Sequence, residues 1–239
     1  MGVHRVNYKV AIVGAGRMAS ILAHRIPGSV RKVIIARRRS EALALADEVG
    51  GVASEQMSTV RGCRLVFMAI PGSAVPAVLQ EIQHHLSEQT LVINMATDLV
   101  TDELAQEFPS IRLASAKMIG HPREVELGSP GVVILDQVEP AETELLIPLL
   151  EGIGPVILGD ERKVMLANTA IVEEMVRAEA SLRQRLQEIG LDRDLLPVAV
   201  SAAAPGVLRA VARGELGPLA PVAVHKIGSE GTAISRVST

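Results

Sequence analysis

Lys9-Val10-Ala11-Ile12-Val13-Gly14-Ala15-Gly16-Arg17-Met18-Ala19 is the stretch on which the fold turns. Its short apolar run shows no polar alternation, the pattern of a strand buried on both faces. Glycines then turn the chain, and Ile21, Leu22, Arg25 and Ile26 follow at helical spacing. Pro27-Gly28 stops that helix, and Arg-Lys-Val-Ile-Ile-Ala at 31–36 supplies a second strand. Together they close a βαβ unit of about 30 residues. Within G-x-G-x-x-A, Gly14 permits a tight turn, Gly16 lets the main chain approach a pyrophosphate, and Ala19 lets the helix pack closely on the strand. Ala15, Arg17 and Met18 complete a turn that opens a helix N-terminus toward phosphate. Dinucleotide binding is the expected use.

Outward from this unit the alternation repeats. Ser40 is placed to N-cap a helix reaching Val49, and strands are expected at 65–70, 90–95, 111–116, 131–135 and 154–159. Helices are expected between them at 74–86, 102–108 and 141–151. Apolar strands alternating with amphipathic helices predict a Rossmann-type, doubly wound α/β fold whose parallel sheet is covered on both faces. Past Gly159 the texture changes. Residues 161–189 contain no Gly or Pro and place Leu166, Ala170, Met175, Ala178, Leu182, Leu186 and Ile189 helically, with Gly190 as the stop. A second helix over 195–213 is expected to be disturbed at Pro197 and Pro205-Gly206, before an ordinary polar tail at 229–239. The reading is a dinucleotide-binding domain at 1–159 and a smaller all-helical domain at 160–239.

Composition narrows the function. Hydrophobic residues make up 48% and charged residues 21%, with mean hydropathy +0.31, which suits a packed core and excludes a disordered chain. Only Tyr8, Phe67 and Phe108 are aromatic and the formal net charge is −3, so stacking platforms and a basic surface for nucleic acid are both missing. Cys63 is the single cysteine and has no internal disulfide partner, and no signal-peptide pattern precedes Lys9. Met1-Gly2 suggests myristoylation, but Val6 stands where that motif wants Ser or Thr. The longest uncharged run, 65–80, is broken by Pro71 and Pro76 and is shorter than the roughly 20 residues of a membrane span. A cytoplasmic location without a membrane span is therefore expected.

Where an NAD site would present an acid after the second strand, this chain has Arg37-Arg38-Arg39-Ser40. Guanidinium groups suit a 2′-phosphate, so Arg37 and Arg38 predict NADP over NAD. Glu41 comes too late to be the expected acid but could pair with one of these arginines. Ala69-Ile70-Pro71 and Asn94-Met95 follow strands whose carboxyl ends face the ligand crevice, so they are expected to border the nicotinamide.

Val13-Gly-Ala-Gly-Arg-Met-Ala19, the arginine turn with Ser40-Glu41, Met68-Ala-Ile-Pro71 and a last strand entering a long helix together resemble the pyrroline-5-carboxylate reductase family. Its relatives in the 6-phosphogluconate-dehydrogenase-like group include the F420-dependent NADP oxidoreductases. The resemblance covers about the first 165 residues. It implies an NADP-dependent reductase of a C=N or C=O bond in a small-molecule substrate, with a C-terminal helical part that dimerises and completes the active site. The chain departs from those reductases at Lys117-Met-Ile-Gly-His-Pro122, where only Met118 and Pro122 match their Met-Pro-Asn-x-Pro segment. Asn168-Thr-Ala-Ile-Val-Glu173 stands in place of their Ser-Gly-Ser-Gly-Pro stretch. Leu166-Ala167-Asn168 resembles an element of the group's hydroxyacid dehydrogenases, with Met165 in the place of their lysine and Lys163 nearby.

Hydride transfer needs orientation, electrostatic stabilisation and a proton for the reduced atom. Lys117 and His121, read as following the fifth predicted main strand, could each donate that proton or hold a substrate carboxylate. Asn168, Glu173 and Glu174 lie on the long helix. His84-His85 have no carboxylate or cysteine at ligand spacing, so no metal site is expected. Cys63 has no visible activating partner. Two alternatives stand beside the imine or carbonyl reductase: reduction of NADP by a deazaflavin such as F420, and a non-catalytic NADP-binding sensor.

Overall fold

The computed structural model describes residues 8–215. Eight strands form one sheet: β1 (Lys9–Val13), β2 (Arg31–Ile35), β3 (Val52–Ser54), β4 (Leu65–Met68), β5 (Leu91–Asn94), β6 (Arg112–Ile119), β7 (Val132–Asp136) and β8 (Val156–Leu158). Their order is β3-β2-β1-β4-β5-β6-β7-β8. The first six strands have the Rossmann order, with the switch point between β1 and β4. β3 was not legible in the sequence, because three residues at a sheet edge show no periodicity.

The sheet is parallel except where β7 runs antiparallel to β6, which corrects the wholly parallel expectation. The cause lies in the connection. Its helix, α5 (Pro122–Glu126), has five residues and rises about 7 Å, whereas returning along the eight-residue β6 takes about 26 Å. The chain therefore turns back beside β6. That pairing also lengthens the strand: β5 reaches only Ser115, while β7 continues alongside Ala116, Lys117, Met118 and Ile119. Lys117 thus lies inside a strand, a correction to the strand end expected at 116.

Side-chain alternation sends the two faces of the sheet to different helices. Val10, Ile12, Ile34 and Phe67 pack with residues of α1 (Arg17–Arg25), α2 (Arg39–Val49) and α6 (Pro140–Leu150). Ala11, Val13, Val66 and Met68 pack with α3 (Val75–Ile82) and α4 (Thr101–Glu107). With so few aromatic residues, shape complementarity among Val, Ile, Leu and Ala fills both cores. α2 starts at Arg39 with Arg38 as its N-cap, two residues before the cap expected at Ser40.

α7 (Arg162–Glu188) is the long helix expected from residues 161–189, and α8 (Leu196–Arg213) follows it. The span agrees with the expected 195–213; Pro197 sits in the first turn of α8, where it removes no needed hydrogen bond, and Pro205 lies inside the helix. The sheet ends near Gly159, but the chain divides into two compact units between Ile171 and Val172, within α7. By length and mean hydropathy of 1.2, α8 is the one helix among the described residues able to span a bilayer. A protein-covered helix has the same composition. The Met1-Gly2 reading and the tail at 229–239 lie outside the described residues.

Candidate dinucleotide site and its neighbours

The two glycines of the turn are required for different reasons. Gly14 has φ +118° and donates its N–H to Ile35 O at 2.8 Å. A Cβ there would collide with the Ala69 carbonyl, so the protein's own packing demands glycine. Gly16 has φ −81° and caps α1, and a Cβ on it would meet nothing within 4 Å. The protein interior does not need Gly16 to be glycine, whereas a phosphate approaching the helix N-terminus would. α1 has no side-chain cap and no acid in its first turn, which leaves its positive end to an anion. Arg17 is exposed, while Ala15 and Met18 pack partly on the core.

The bond from Gly14 to Ile35 ties the glycine turn to the end of β2, where Arg37, Arg38, Arg39 and Ser40 are all exposed. Glu41 pairs with Arg38, the pairing the sequence suggested. An exposed pair of this kind is worth about 1 kcal/mol or less, so a phosphate can compete for Arg38. Arg37 makes no ion pair among the described residues.

Ala69 and half-buried Ile70 follow β4, with Pro71 exposed. Asn94 behaves differently from what its position suggested. It is fully buried, its Nδ2 donates to Leu99 O at 2.9 Å and Thr101 Oγ1 at 3.0 Å, and its Oδ1 accepts from Ala96 N at 3.0 Å. Its side chain shapes the loop after β5 instead of pointing at a ligand. Met95, beside it, is also buried.

Lys117 is 1% exposed and cannot present its ammonium to solvent. Its Nζ donates to Leu99 O at 2.7 Å and pairs with Glu161 Oε2 at 2.7 Å. Glu161, just before α7, also accepts from Thr101 N at 2.6 Å and Thr101 Oγ1 at 2.8 Å, while its own N–H donates to Asp136 Oδ2. Burial pushes the Glu161 carboxyl up, but hydrogen bonds from Lys117 and Thr101 outweigh it and hold the group below the usual carboxylate range. Sequence reasoning missed Glu161 because an acid opening a helix ordinarily answers the helix dipole in solvent.

Asn168 and the segment around His121 do come together. Asn168 Nδ2 donates to Met118 O at 3.0 Å and its Oδ1 accepts from Gly120 N at 3.3 Å, so it braces the end of β6. His121 is exposed as the N-cap of α5. Glu173 and Glu174 are exposed and both pair with Arg177. His85 Nδ1 accepts from the Arg61 guanidinium at 3.2 Å, and no group of three metal-ligating side chains occurs among the described residues. Burial pushes the Cys63 thiol up, which opposes nucleophilic use.

A Rossmann sheet with an open, glycine-capped helix at its switch point is the arrangement of the dinucleotide-binding class of folds. Residues 9–98 match the family described as NADP oxidoreductase, coenzyme F420-dependent. Pyrroline-5-carboxylate reductase 3 of Xenopus laevis is 30% identical over 110 residues, 44% of this chain and 40% of that protein. The matched stretch is thus about two fifths of the relative's length. Among solved structures, a pyrroline-5-carboxylate reductase from Coxiella burnetii superposes with TM-score 0.70 at 15% identity, covering 96% of this chain and 87% of that one. A Plasmodium falciparum pyrroline carboxylate reductase with NADP bound gives TM-score 0.61 at 16% identity, covering 86% and 79%. These structural likenesses show the fold. With the sequence matches, they support the resemblance to pyrroline-5-carboxylate reductase-like NADP oxidoreductases.

Proposed function

We propose that this chain is a cytoplasmic NADP-dependent reductase of a small imine or carbonyl compound, working as a homodimer. The observation that carries the reading is Gly16: an N-cap whose missing side chain serves no neighbour in the protein, beside an exposed arginine turn. A bound reduced nicotinamide would supply a hydride, and this chain's residues would hold and orient it. The N-terminus of α1 takes the pyrophosphate, Arg37 and Arg38 take the 2′-phosphate, and the segments at 69–71 and 94–96 border the ring. Because Lys117 is locked to Glu161, His121 is the better placed of the two proton-donor candidates. The deciding experiment follows NADPH oxidation with cyclic imines, keto acids and F420. Turnover with F420 alone would favour the deazaflavin reaction that the family match to 9–98 suggests. Cofactor binding without any turnover would favour a sensor.

NADPH should bind at least about 10-fold more tightly than NADH, because a charge-assisted bond to phosphate is worth about 1.5–3 kcal/mol. Replacing Arg37 and Arg38 together with Ala should remove most of that preference. Titration calorimetry giving equal affinities in the unmodified protein contradicts the assignment.

The dimer rests on the helical part. Of α8 only Leu196 is buried, while Val198, Val207, Leu208 and Val211 are each more than half exposed. Val172, Met175 and Val176 are exposed on α7, and a groove of about 400 Å³ runs along Met175, Ala178, Leu182, Val200, Ala204 and Leu208. A second copy is the partner we assign to this apolar surface. Sedimentation should give twice 25.3 kDa at micromolar concentration, and a monomer would refute the assembly.

A further inference from the structure

We infer that the buried pair Lys117 and Glu161 is a positioning device for the cofactor: acting through the loop at 95–100, it sets the order of the nicotinamide ring without contributing to cofactor affinity. This rests on the reductase reading above, which puts the segment after β5 beside the ring. It gives a role to two residues that touch neither cofactor nor substrate.

Both side chains are 1% exposed. An apolar pair of similar volume would join β6 to the start of α7 about as well, because desolvation offsets most of the attraction between buried charges. What the charges add is direction. Lys117 Nζ donates to Leu99 O at 2.7 Å, and Glu161 accepts from Thr101 N at 2.6 Å and from Thr101 Oγ1 at 2.8 Å. Asn94, at the end of β5, donates to the same Leu99 O and to Thr101 Oγ1, and accepts from Ala96 N. The loop is therefore fixed at its start by Asn94 and at its end by the ion pair.

A second observation comes from the other side of the pair. Gln137 is the one non-glycine residue with a left-handed backbone among the described residues, at φ +55°. Such a conformation persists only where its surroundings enforce it. Here Asp136 Oδ1 accepts from Gln137 N at 2.8 Å, and Asp136 Oδ2 accepts from Glu161 N at 2.9 Å. The strained turn after β7 thus aims Glu161, so that β5, β6, β7 and the start of α7 converge on one loop.

That loop also packs on its neighbour. A Cβ on Gly72 would meet the Asp98 side chain at 2.5 Å, so 95–100 lies directly against the segment that follows β4. Both segments stand at the carboxyl ends of adjacent strands, where open α/β sheets bind ligands. A displacement of about 1 Å in a reacting group can cost roughly 100-fold in rate, so the walls around a reactive ring must themselves be fixed. The phosphates, assigned to α1 and the arginine turn, make no use of this loop.

The test reads the ring through the emission of bound NADPH, which strengthens when the nicotinamide is held rigidly away from water. Lys117→Met/Glu161→Gln removes both charges together and leaves Leu99 O without its lysine donor. NADPH affinity should stay within about 3-fold of the unmodified protein, because the phosphates carry it, while most of the emission gained on binding should be lost. Thr101→Val removes only the hydroxyl bonds to Glu161 and Asn94, so it should show a smaller loss of the same kind even if the double variant does not fold. Arg112→Met/Glu142→Gln removes an ion pair at the amino end of β6 and should lower Tm without changing the emission. Full emission in folded, NADPH-binding variants of the Lys117–Glu161 network overturns the inference. An equal loss in the Arg112 and Glu142 control also overturns it, since emission would then follow stability. So does an unmodified protein that binds NADPH with no gain in emission, a result that leaves the cofactor reading standing. Failure of the unmodified chain to bind NADPH at all overturns that reading and this inference together.

Discussion

Gly16→Val is expected to abolish NADPH binding while leaving the protein folded. The two halves of that result have separate causes. A valine side chain fits the protein, because nothing lies within 4 Å of the Cβ position and φ of −81° is open to any residue. Valine is a poorer N-cap than glycine, a loss of about 1 kcal/mol, or roughly 2–4 °C in Tm. The same side chain projects from the N-terminus of α1, where a pyrophosphate must approach the main chain to within hydrogen-bonding distance. Affinity should fall by more than about 100-fold, because the phosphate contacts are lost together rather than weakened singly. Gly14→Ala provides the contrast: it should destabilise the fold itself, since its Cβ would strike the Ala69 carbonyl and its φ of +118° disfavours a side chain. Calorimetry and thermal melting on both variants separate the cases. Normal NADPH binding by Gly16→Val would show that the phosphate site lies elsewhere.

What made the glycine turn legible from sequence was its locality. β1, the turn, α1, β2 and the arginine turn are consecutive, and their patterns of apolar residues, glycines and charge do not depend on distant contacts. The long α7 was legible for the same reason. Features set by pairing were not. The direction of β7 depends on how far α5 can carry the chain, and the length of β6 depends on β7. Lys117 shows the consequence for the site. A lysine after an apolar run resembles a group at a strand end facing a crevice, but the extended strand buries it against Glu161, far away in sequence. Asn94 was placed at the correct strand end, yet nothing local shows that its amide is used by Leu99 and Thr101.

Lys117→Met should cost about 3–5 kcal/mol, because it leaves the Glu161 carboxylate buried without its counter-charge. Against a total stability of about 5–15 kcal/mol, such a loss brings the domain near unfolding at warm temperature. Adding Glu161→Gln should recover most of it, since an uncharged amide no longer needs a cation and its oxygen can still accept from Thr101. The pH dependence distinguishes this from simple loss of packing. In the unmodified protein the folded pKa of Glu161 lies below its ordinary 4.5, so the stabilisation is complete above about pH 4.5 and disappears as pH falls through the folded value. Without Lys117, burial becomes the stronger influence and the folded pKa should move above 4.5. Protonation then favours the folded state, and the penalty of Lys117→Met should shrink as pH is lowered from 7 toward 4.5. Urea denaturation of both proteins across that range measures it. A penalty that does not change with pH would mean that Lys117 supports the fold through its aliphatic stem and not through its charge.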